Sequence, residues 1–331
     1  MPLVNTSANQ KEIVMKHPVV VLSGGLSHER DVSLRSGRRV AEALRRQGHE
    51  VVESDISPNL TTYANSAEEW VIFPTLHGGL GEDGAIRSVM DVLGLAYVGA
   101  DGAHSRSAFD KSVASLKAAE AGLRTPRQIS LPHDVFRELG AQTLVSAIGD
   151  SFGFPVMVKP ACSGSALGAT KVSSVADLPP ALVGAFAYGQ VNVIESFISG
   201  TEVAVTVVDL DGELTALPAV EIQPVSGVYD YAARYTAGET RFVTPADVDA
   251  SVAEACADMA KRAHQVFGLR DLSRTDIIID EAGEPVFIEV NVAPGMTETS
   301  LVPLALDAAE MDLGVVASAL VEQAAARRYQ R

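Results

Sequence analysis

Arg274-Thr275-Asp276-Ile277-Ile278-Ile279-Asp280, Glu281-Ala282-Gly283-Glu284 and Pro285-Val286-Phe287-Ile288-Glu289-Val290-Asn291 form the stretch on which the reading of this chain turns. Two runs of β-formers flank a turn containing glycine, the pattern of a β-hairpin. A turn centred on Ala282-Gly283 sets Asp276 opposite Glu289 and Arg274 opposite Asn291. Side chains alternate along a strand, so these four share one face. Directly opposed carboxylates repel one another. A divalent cation would relieve that, and Asp276, Glu289 and Asn291 are hard oxygen donors suited to Mg2+. Arg274 beside them suits an oxyanion or phosphate. The plain alternative is an exposed hairpin face with an Arg–Asp pair.

Upstream lies Lys159-Pro160-Ala161-Cys162-Ser163-Gly164-Ser165-Ala166-Leu167-Gly168, between the strand-like runs 155–159 and 169–172. They read as an antiparallel hairpin. Small residues let backbone amides close over phosphate oxygens, and Lys159 at the strand end favours that reading over a bare hairpin tip. No Gly-Lys-Ser/Thr follows, so this is not a Walker loop.

Near the N-terminus, Pro18-Val19-Val20-Val21-Leu22 leads into Gly24-Gly25-Leu26-Ser27-His28-Glu29-Arg30 and a helical pattern over 31–47. A strand–glycine–helix junction is where α/β proteins bind ligands. Glu29 can cap the helix or meet a substrate. Trp70–Pro74 leads in the same way into His77-Gly78-Gly79-Leu80-Gly81-Glu82-Asp83-Gly84, where His77 can reach a ligand or brace the turn. Strands alternating with helices predict parallel pairing in this first unit. Helices are also predicted over 107–121 and 248–267, near 303–309 and over 313–326. Strands are predicted at 191–195, 203–208 and 214–220. A variable stretch runs to Gly149, and Tyr229 to Thr240 reads as a mobile polar loop.

The 331 residues include 42 acidic and 26 basic ones, a net charge of −16, which argues against a general nucleic-acid binder. A local cluster of cations can still hold a phosphate-bearing small molecule. The chain has 7 Lys against 19 Arg, which makes the placing of Lys111 and Lys159 conspicuous. Two cysteines, Cys162 and Cys256, give neither a disulfide framework nor a zinc spacing. No signal peptide or apolar run long enough for a membrane span is evident, so a cytoplasmic protein is expected. The missing GxGxxG disfavours a nicotinamide dehydrogenase.

These motifs, in this order, resemble the D-alanine–D-alanine ligase family of ATP-grasp enzymes, from Val19 to about Ala326. The resemblance rests on Gly24-Gly25-x-Ser27-x-Glu29, His77-Gly78-x-x-Gly81-Glu82-Asp83-Gly84, Asp110-Lys111, Lys159 through Ser165, Tyr229-Asp230-Tyr231 through Tyr235, Arg274-x-Asp276, and Glu289-x-Asn291-x-x-Pro294-Gly295 through Ser300-Leu301. It implies a mixed α/β and α+β fold. A parallel N-terminal α/β domain would span residues 1–100, with a loose tail over 1–16. A two-part ATP-grasp fold would follow, with a central subdomain over 101–195 and a C-terminal one over 196–331.

The implied reaction is ATP-dependent joining of two D-alanines through a D-alanyl phosphate, for peptidoglycan precursor synthesis. Glu29, linked with Ser165 and Tyr235, would hold the first ammonium. Lys111, Lys159 and Arg234 would meet ATP phosphates, and Glu195, Ile198 and Glu202 the adenine and ribose. Asp276, Glu289 and Asn291 would bind two Mg2+ ions, with Mn2+ as substitute. Arg274 and the Gly295 amide would stabilise the oxyanion. His77, Ser300 and Leu301 would hold the second carboxylate. A homodimer is implied, with no nucleic-acid or membrane partner. Three positions depart from the family pattern: Ala166 replaces a serine, Arg234 a lysine, and Ser196 a lysine common in members. A related ligase making a depsipeptide or mixed dipeptide, or a regulatory nucleotide-binding module, is the competing reading.

Overall fold

Val19–Leu22 (β1) is apolar at every position and fully buried, because helices cover both faces of its sheet. The computed structural model describes residues 16–236 and 238–328, without the side chains of Ala232 and Tyr235. β1 pairs in parallel with Val51–Ser54 (β2) and Val71–Pro74 (β3), and β3 with Ala96–Tyr97 (β4), in the order β2-β1-β3-β4. This is the parallel layer predicted from strand–helix alternation. Val19 and Val21 face a core shared with helices Arg30–Arg46 and Leu313–Arg328. Val20 and Leu22 face the opposite side, with Trp70, Ile72 and Met90. The C-terminal helix thus closes the first sheet of the chain. Of the predicted tail, only Lys16 is among the described residues, and its Nζ donates to Ser318 Oγ at 2.9 Å.

Two antiparallel sheets follow. Gln128–Pro132 (β5), Val156–Pro160 (β6), Thr170–Val172 (β7) and Val191–Ser196 (β8) form a four-stranded sheet in the order β5-β8-β6-β7. The predicted hairpin is therefore β6–β7. Gly200–Leu210 (β9), Glu213–Ala216 (β10), Val220–Pro224 (β11), Thr240–Val243 (β12), Leu272–Asp280 (β13) and Pro285–Asn291 (β14) form the six-stranded sheet. Several expectations are corrected. The variable stretch holds β5 and helices His133–Leu139 and Ala141–Phe152. The helix expected over 107–121 is two, Gly102–Phe109 and Lys111–Glu120, because Asp110 turns to an extended conformation and its side chain caps the second. The strand expected over 214–220 is split between β10 and β11, and a short helix, Tyr231–Tyr235, interrupts the predicted loop.

The β13–β14 hairpin reaches its predicted pairing by an unpredicted route. Its turn is the loop 281–283, not the pair Ala282-Gly283. Asp280 N donates to Glu284 O at 3.0 Å, and Gly283 has φ +80°. That alone puts the register one residue out, with Ile277 opposite Phe287. A β-bulge between Asp276 and Ile277 then restores it, so Asp276 faces Glu289 and Arg274 faces Asn291. The bulge leaves Ile288 as the extra residue, and both Ile288 and Glu289 line one cavity.

A buried carboxylate joins the sheets. Asp271 is fully buried at φ +67°. Its Oδ2 accepts from Gly99 N and Arg327 Nη2, each at 2.6 Å, and its Oδ1 from Arg327 Nη1 at 2.7 Å and Gln323 Nε2 at 2.9 Å. The segment after β4, the start of β13 and the C-terminal helix meet there. Removing one partner of a buried ion pair costs about 3–5 kcal/mol. Asp271→Ala is expected to lose that much in urea unfolding, and a loss below about 1 kcal/mol would show that this junction does not hold the sheets together.

Candidate active site

Two cavities of about 360 and 470 Å3 lie side by side between the sheets. Lys111, Ser163, Tyr229, Arg234 and Glu289 line both. His77, Arg274, Asn291, Gly295, Ser300 and Leu301 line the smaller; Lys159, Glu195, Ile198, Glu202 and Asp276 line the larger. The two chambers therefore meet at a strip of cations and one carboxylate.

Glu29 ends the loop after β1 and N-caps helix Arg30–Arg46, yet its side chain makes no capping bond. The carboxylate instead turns to the junction of two glycine segments. A Cβ on Gly78 would sit 2.3 Å from Glu29 Oε2, and one on Gly164 2.7 Å from Oε1. Glu29 is 3% exposed, and its buried Oε1 has no hydrogen-bond partner. An unpaired carboxylate oxygen excluded from water is the natural seat of a cation. Next to it, Glu82 Oε1 accepts from Gly78 N at 2.8 Å, and burial pushes the Glu82 carboxyl up to about 7.

His77 is buried, and both its ring nitrogens have protein partners: Nδ1 lies 2.9 Å from Ala293 O and Nε2 3.2 Å from Ser36 Oγ. Burial pulls its pKa down to about 4, so the ring is neutral at physiological pH. No ring N–H is left over for a substrate carboxylate in this arrangement.

The phosphate-binding candidates converge. Lys111 N donates to Ala161 O at 2.9 Å and its Nζ to Ser163 O at 2.7 Å, tying the Asp110-Lys111 motif to the glycine loop. Lys111 Nζ is also 3.4 Å from Glu289 Oε2. Lys159 Nζ is 2.7 Å from Glu195 Oε1, so a predicted phosphate ligand and a predicted adenine ligand pair with each other. Arg234 lies over the Tyr229 ring at 4.2 Å. In the loop, Ser165 and Ala166 adopt φ +53° and +55°, a left-handed conformation that costs side-chain-bearing residues about 1–2 kcal/mol each.

At the hairpin, Arg274 Nε and Nη2 donate to Asp276 Oδ1 and Oδ2 at 2.6 and 2.7 Å, leaving Nη1 without a partner among the described residues. Burial would raise the Glu289 carboxyl, but Lys111, Arg234 and Lys159 hold it well below the usual range. Arg274 and Lys111 therefore balance the opposed carboxylates within the protein, so repulsion alone does not demand a metal. The donor chemistry still fits one: two carboxylates and the Asn291 amide share a sheet face at the wall between the chambers.

Backbone groups complete the site. Ser196 N and Phe197 N donate to Arg127 O and Pro155 O, whereas the Ile198 amide has no partner among the described residues. Glu202 likewise has none, and burial raises its carboxyl to about 7. The Gly295 amide also has no partner among the described residues, while Ser300 Oγ accepts from Thr297 N at 3.0 Å. Leu301 opens the helix Leu301–Ala308, whose N-cap Ser300 makes no side-chain capping bond. The side chain of Tyr235, a predicted site residue, lies outside the described residues.

Sequence reasoning missed Lys171, whose Nζ stands 3.8 Å over the Phe197 ring at the larger chamber. Lys171 pairs with Met157 across β6–β7, and Met157 with Glu195 across β6–β8, so all three share a face. The hairpin register could have located it. It also missed Ser36, a turn beyond Val32 on the cleft-facing side of its helix.

Antiparallel sheets closing over two joined chambers define an ATP-grasp fold. A family model described as the D-ala D-ala ligase C-terminus matches residues 118–323. A D-alanine–D-alanine ligase of Anaeromyxobacter dehalogenans is 39% identical over 86% of this chain and 89% of its own length. One from Desulforudis audaxviator is 37% identical over 95% of this chain and all of its own. The crystal structure of the Bacillus anthracis D-alanine–D-alanine ligase complexed with ATP superposes with a TM-score of 0.79 at 25% identity, covering 95% of this chain and 99% of that one. The VanG D-Ala:D-Ser ligase of Enterococcus faecalis does so with 0.80 at 25% identity, over 93% and 99%. The chain belongs to the D-alanine–D-alanine ligase family.

Glu82 supplies a pH test of this geometry. Its folded pKa is raised, so its stabilising contribution is complete below the unfolded value near 4.5 and lost as pH rises through about 7. Glu82→Gln, which keeps the oxygen facing Gly78, is expected to gain about 2 kcal/mol on the unmodified protein in urea unfolding between pH 5.5 and pH 8.5. No gain between the two pH values would mean that Glu82 is ionised and solvated.

Proposed function

We propose that this protein is an ATP-dependent ligase that joins two D-alanines into D-alanyl-D-alanine through a D-alanyl phosphate, for peptidoglycan precursors. The observation that carries this reading is the pair of chambers meeting at Lys111, Arg234 and Glu289. A phosphoryl group bound there can pass from a nucleotide in one chamber to an acid in the other.

Each step follows from a side chain in place. Glu29 Oε1 takes the ammonium of the first D-alanine and directs its carboxylate toward the shared wall. The adenine edge meets the free Ile198 amide, the ribose hydroxyls meet Glu202 and Glu195, and Lys111, Lys159 and Arg234 neutralise the phosphates. The carboxylate attacks the γ-phosphoryl group, ADP is formed, and the acyl phosphate stays beside Arg274. The second D-alanine presents its carboxylate to the Leu301 end of its helix, near Ser300, where the dipole favours an anion. Its amine, once deprotonated, attacks the acyl carbon. Arg274 Nη1 and the Gly295 amide face the charge that develops on the carbonyl oxygen, and phosphate leaves. Asp276, Glu289 and Asn291 would hold Mg2+, two ions by family resemblance, which screens the phosphate charge during transfer.

The three-part domain division is proposed on the same basis, supported by the three sheets, as are a homodimer and a cytoplasmic location. Among the described residues no helix is long and apolar enough to cross a membrane.

Purified protein given ATP, Mg2+ and D-alanine is expected to yield D-alanyl-D-alanine and phosphate in equal amounts, read by mass spectrometry and phosphate assay. ATP hydrolysis that needs no amino acid would reject the reading. With D-serine and D-lactate also present at pH 8, D-alanine is expected to remain the dominant acceptor; a different dominant product would favour the mixed-dipeptide or depsipeptide reading. A charge-assisted hydrogen bond contributes about 1.5–3 kcal/mol, roughly 10- to 150-fold. Glu29→Gln is expected to raise the KM for the first D-alanine by that factor, with the KM for ATP within about twofold of the unmodified value. An unchanged D-alanine KM would remove Glu29 from the ammonium site.

A further inference from the structure

The segment from Val292 to Thr297 leaves the end of β14 without regular structure, so its backbone groups need partners outside a strand or helix. Ala293 N donates to Asn291 Oδ1 at 2.8 Å and Thr297 N to Ser300 Oγ at 3.0 Å, and the other partners come from the N-terminal part of the chain. Arg87 Nη2 donates to Val292 O at 3.4 Å, His77 Nδ1 meets Ala293 O at 2.9 Å, and Met296 N donates to Ser36 Oγ at 3.0 Å. Ser36 Oγ is in turn 3.2 Å from His77 Nε2.

The chemistry of these groups fixes the direction of every bond. A carbonyl oxygen only accepts, so His77 Nδ1 carries the proton. In a neutral imidazole Nε2 then accepts, and the donor facing it is the Ser36 hydroxyl. The same hydroxyl oxygen accepts from Met296 N. The relay thus runs from Met296 N–H to Ser36, from Ser36 O–H to His77 Nε2, and from His77 Nδ1–H to Ala293 O. All of it is out of water: Ser36 is 0% exposed, His77 6% and Met296 4%. The other tautomer would set an acceptor against an acceptor at Ala293. Between the two anchored atoms, Ala293 O and Met296 N, lie only Pro294 and Gly295.

We infer that Ser36 and His77 are positioning residues, which act from behind the Ala293–Met296 segment to aim the Gly295 amide into the acyl-transfer chamber. This rests on the ligase reading above. Gly295 lines that chamber and its amide has no partner among the described residues, whereas Ser36 does not line it. Ser36 can therefore influence the reaction only through the backbone it holds. Proline restricts the segment on one side of Gly295, and the relay fixes the other side at Met296. Gly295 itself has no room to shift toward the next helix, since a Cβ there would meet Ser300 Oγ at 2.6 Å. A donor aimed at a developing oxyanion contributes about 10²–10³ in rate, and a displacement of about 1 Å can forfeit a large part of it.

The test is a double-mutant cycle on the full chain, with kcat and the KM values for ATP and D-alanine measured for Ser36→Ala, His77→Ala and the pair. Ser36→Ala is expected to lower kcat by about 10- to 100-fold with the KM for ATP within about twofold. The double variant is expected to fall no more than about threefold below the worse single one, because both break the same relay. His77→Asn, which keeps a donor where Nδ1 stands, is expected to recover at least several-fold over His77→Ala. Unaltered kcat in Ser36→Ala, multiplicative losses in the pair, or no recovery by His77→Asn would overturn the inference in favour of direct substrate contact by His77. Equal worsening of the ATP KM would overturn it in favour of a general packing role. If Ser36→Ala does not fold, Ser36→Cys is read by the same criteria. The unmodified protein, assayed alongside, separates failure of the ligase reading, which would leave no dipeptide at all, from failure of the relay.

Discussion

Like charges forced together away from water set the terms for this site. Asp276, buried, and Glu289, half-buried, stand opposite one another in the hairpin, and neither can be left uncompensated. Arg274 grips one and Lys111 reaches the other. Around them the chain gathers Lys159 and Arg234, so a protein with a net charge of −16 builds a locally cationic wall. That wall lies where the two chambers meet and, in the proposed reaction, is where nucleotide and amino acid come together. Its cations do double duty, balancing the carboxylates and offering charge to phosphates.

How much of this was legible in the sequence depends on range. The parallel first sheet follows from strand–helix alternation, and short motifs single out most of the residues that line the two chambers. The opposition of Asp276 and Glu289 was also readable, but through compensating departures. A turn over 281–283 shifts the register, and the bulge at Ile288 shifts it back. Neither the turn geometry nor the bulge has a clear local signal in Glu281-Ala282-Gly283-Glu284. The helix break at Asp110 was hidden because no Gly or Pro marks it within residues 107–113. Contacts such as Lys159–Glu195 and Ser36–His77 depend on packing between distant elements, which no spacing rule encodes.

The departures from the family pattern look different once the neighbours are known. Ser196 lacks the lysine of many members, yet Lys171 stands over Phe197 on the strand pair beside it. A cation is thus kept at the mouth of the nucleotide chamber from another strand. Ala166 lacks a hydroxyl and adopts a left-handed backbone, as Ser165 beside it does. Arg234 gains an aromatic face in Tyr229, a contact suited to a planar guanidinium.

The core shared by the first sheet, the six-stranded sheet and the C-terminal helices has a mechanical consequence. Val19, Ala204, Leu301 and Val321 belong to one continuous apolar cluster, whereas β6, β7 and β8 close over a cluster of their own with Phe136 and Leu182. Displacing the first sheet from the six-stranded one would tear apolar surface from a common interior. Swinging the four-stranded sheet would disturb mainly polar contacts such as Lys111–Ser163 and the approach of Gly164 to Glu29. The first sheet and the six-stranded sheet therefore share one interior, whereas the four-stranded sheet has an interior of its own. For the proposed reaction this means that nucleotide entry and product escape would proceed by movement of the four-stranded sheet, with the shared interior of the other two left intact.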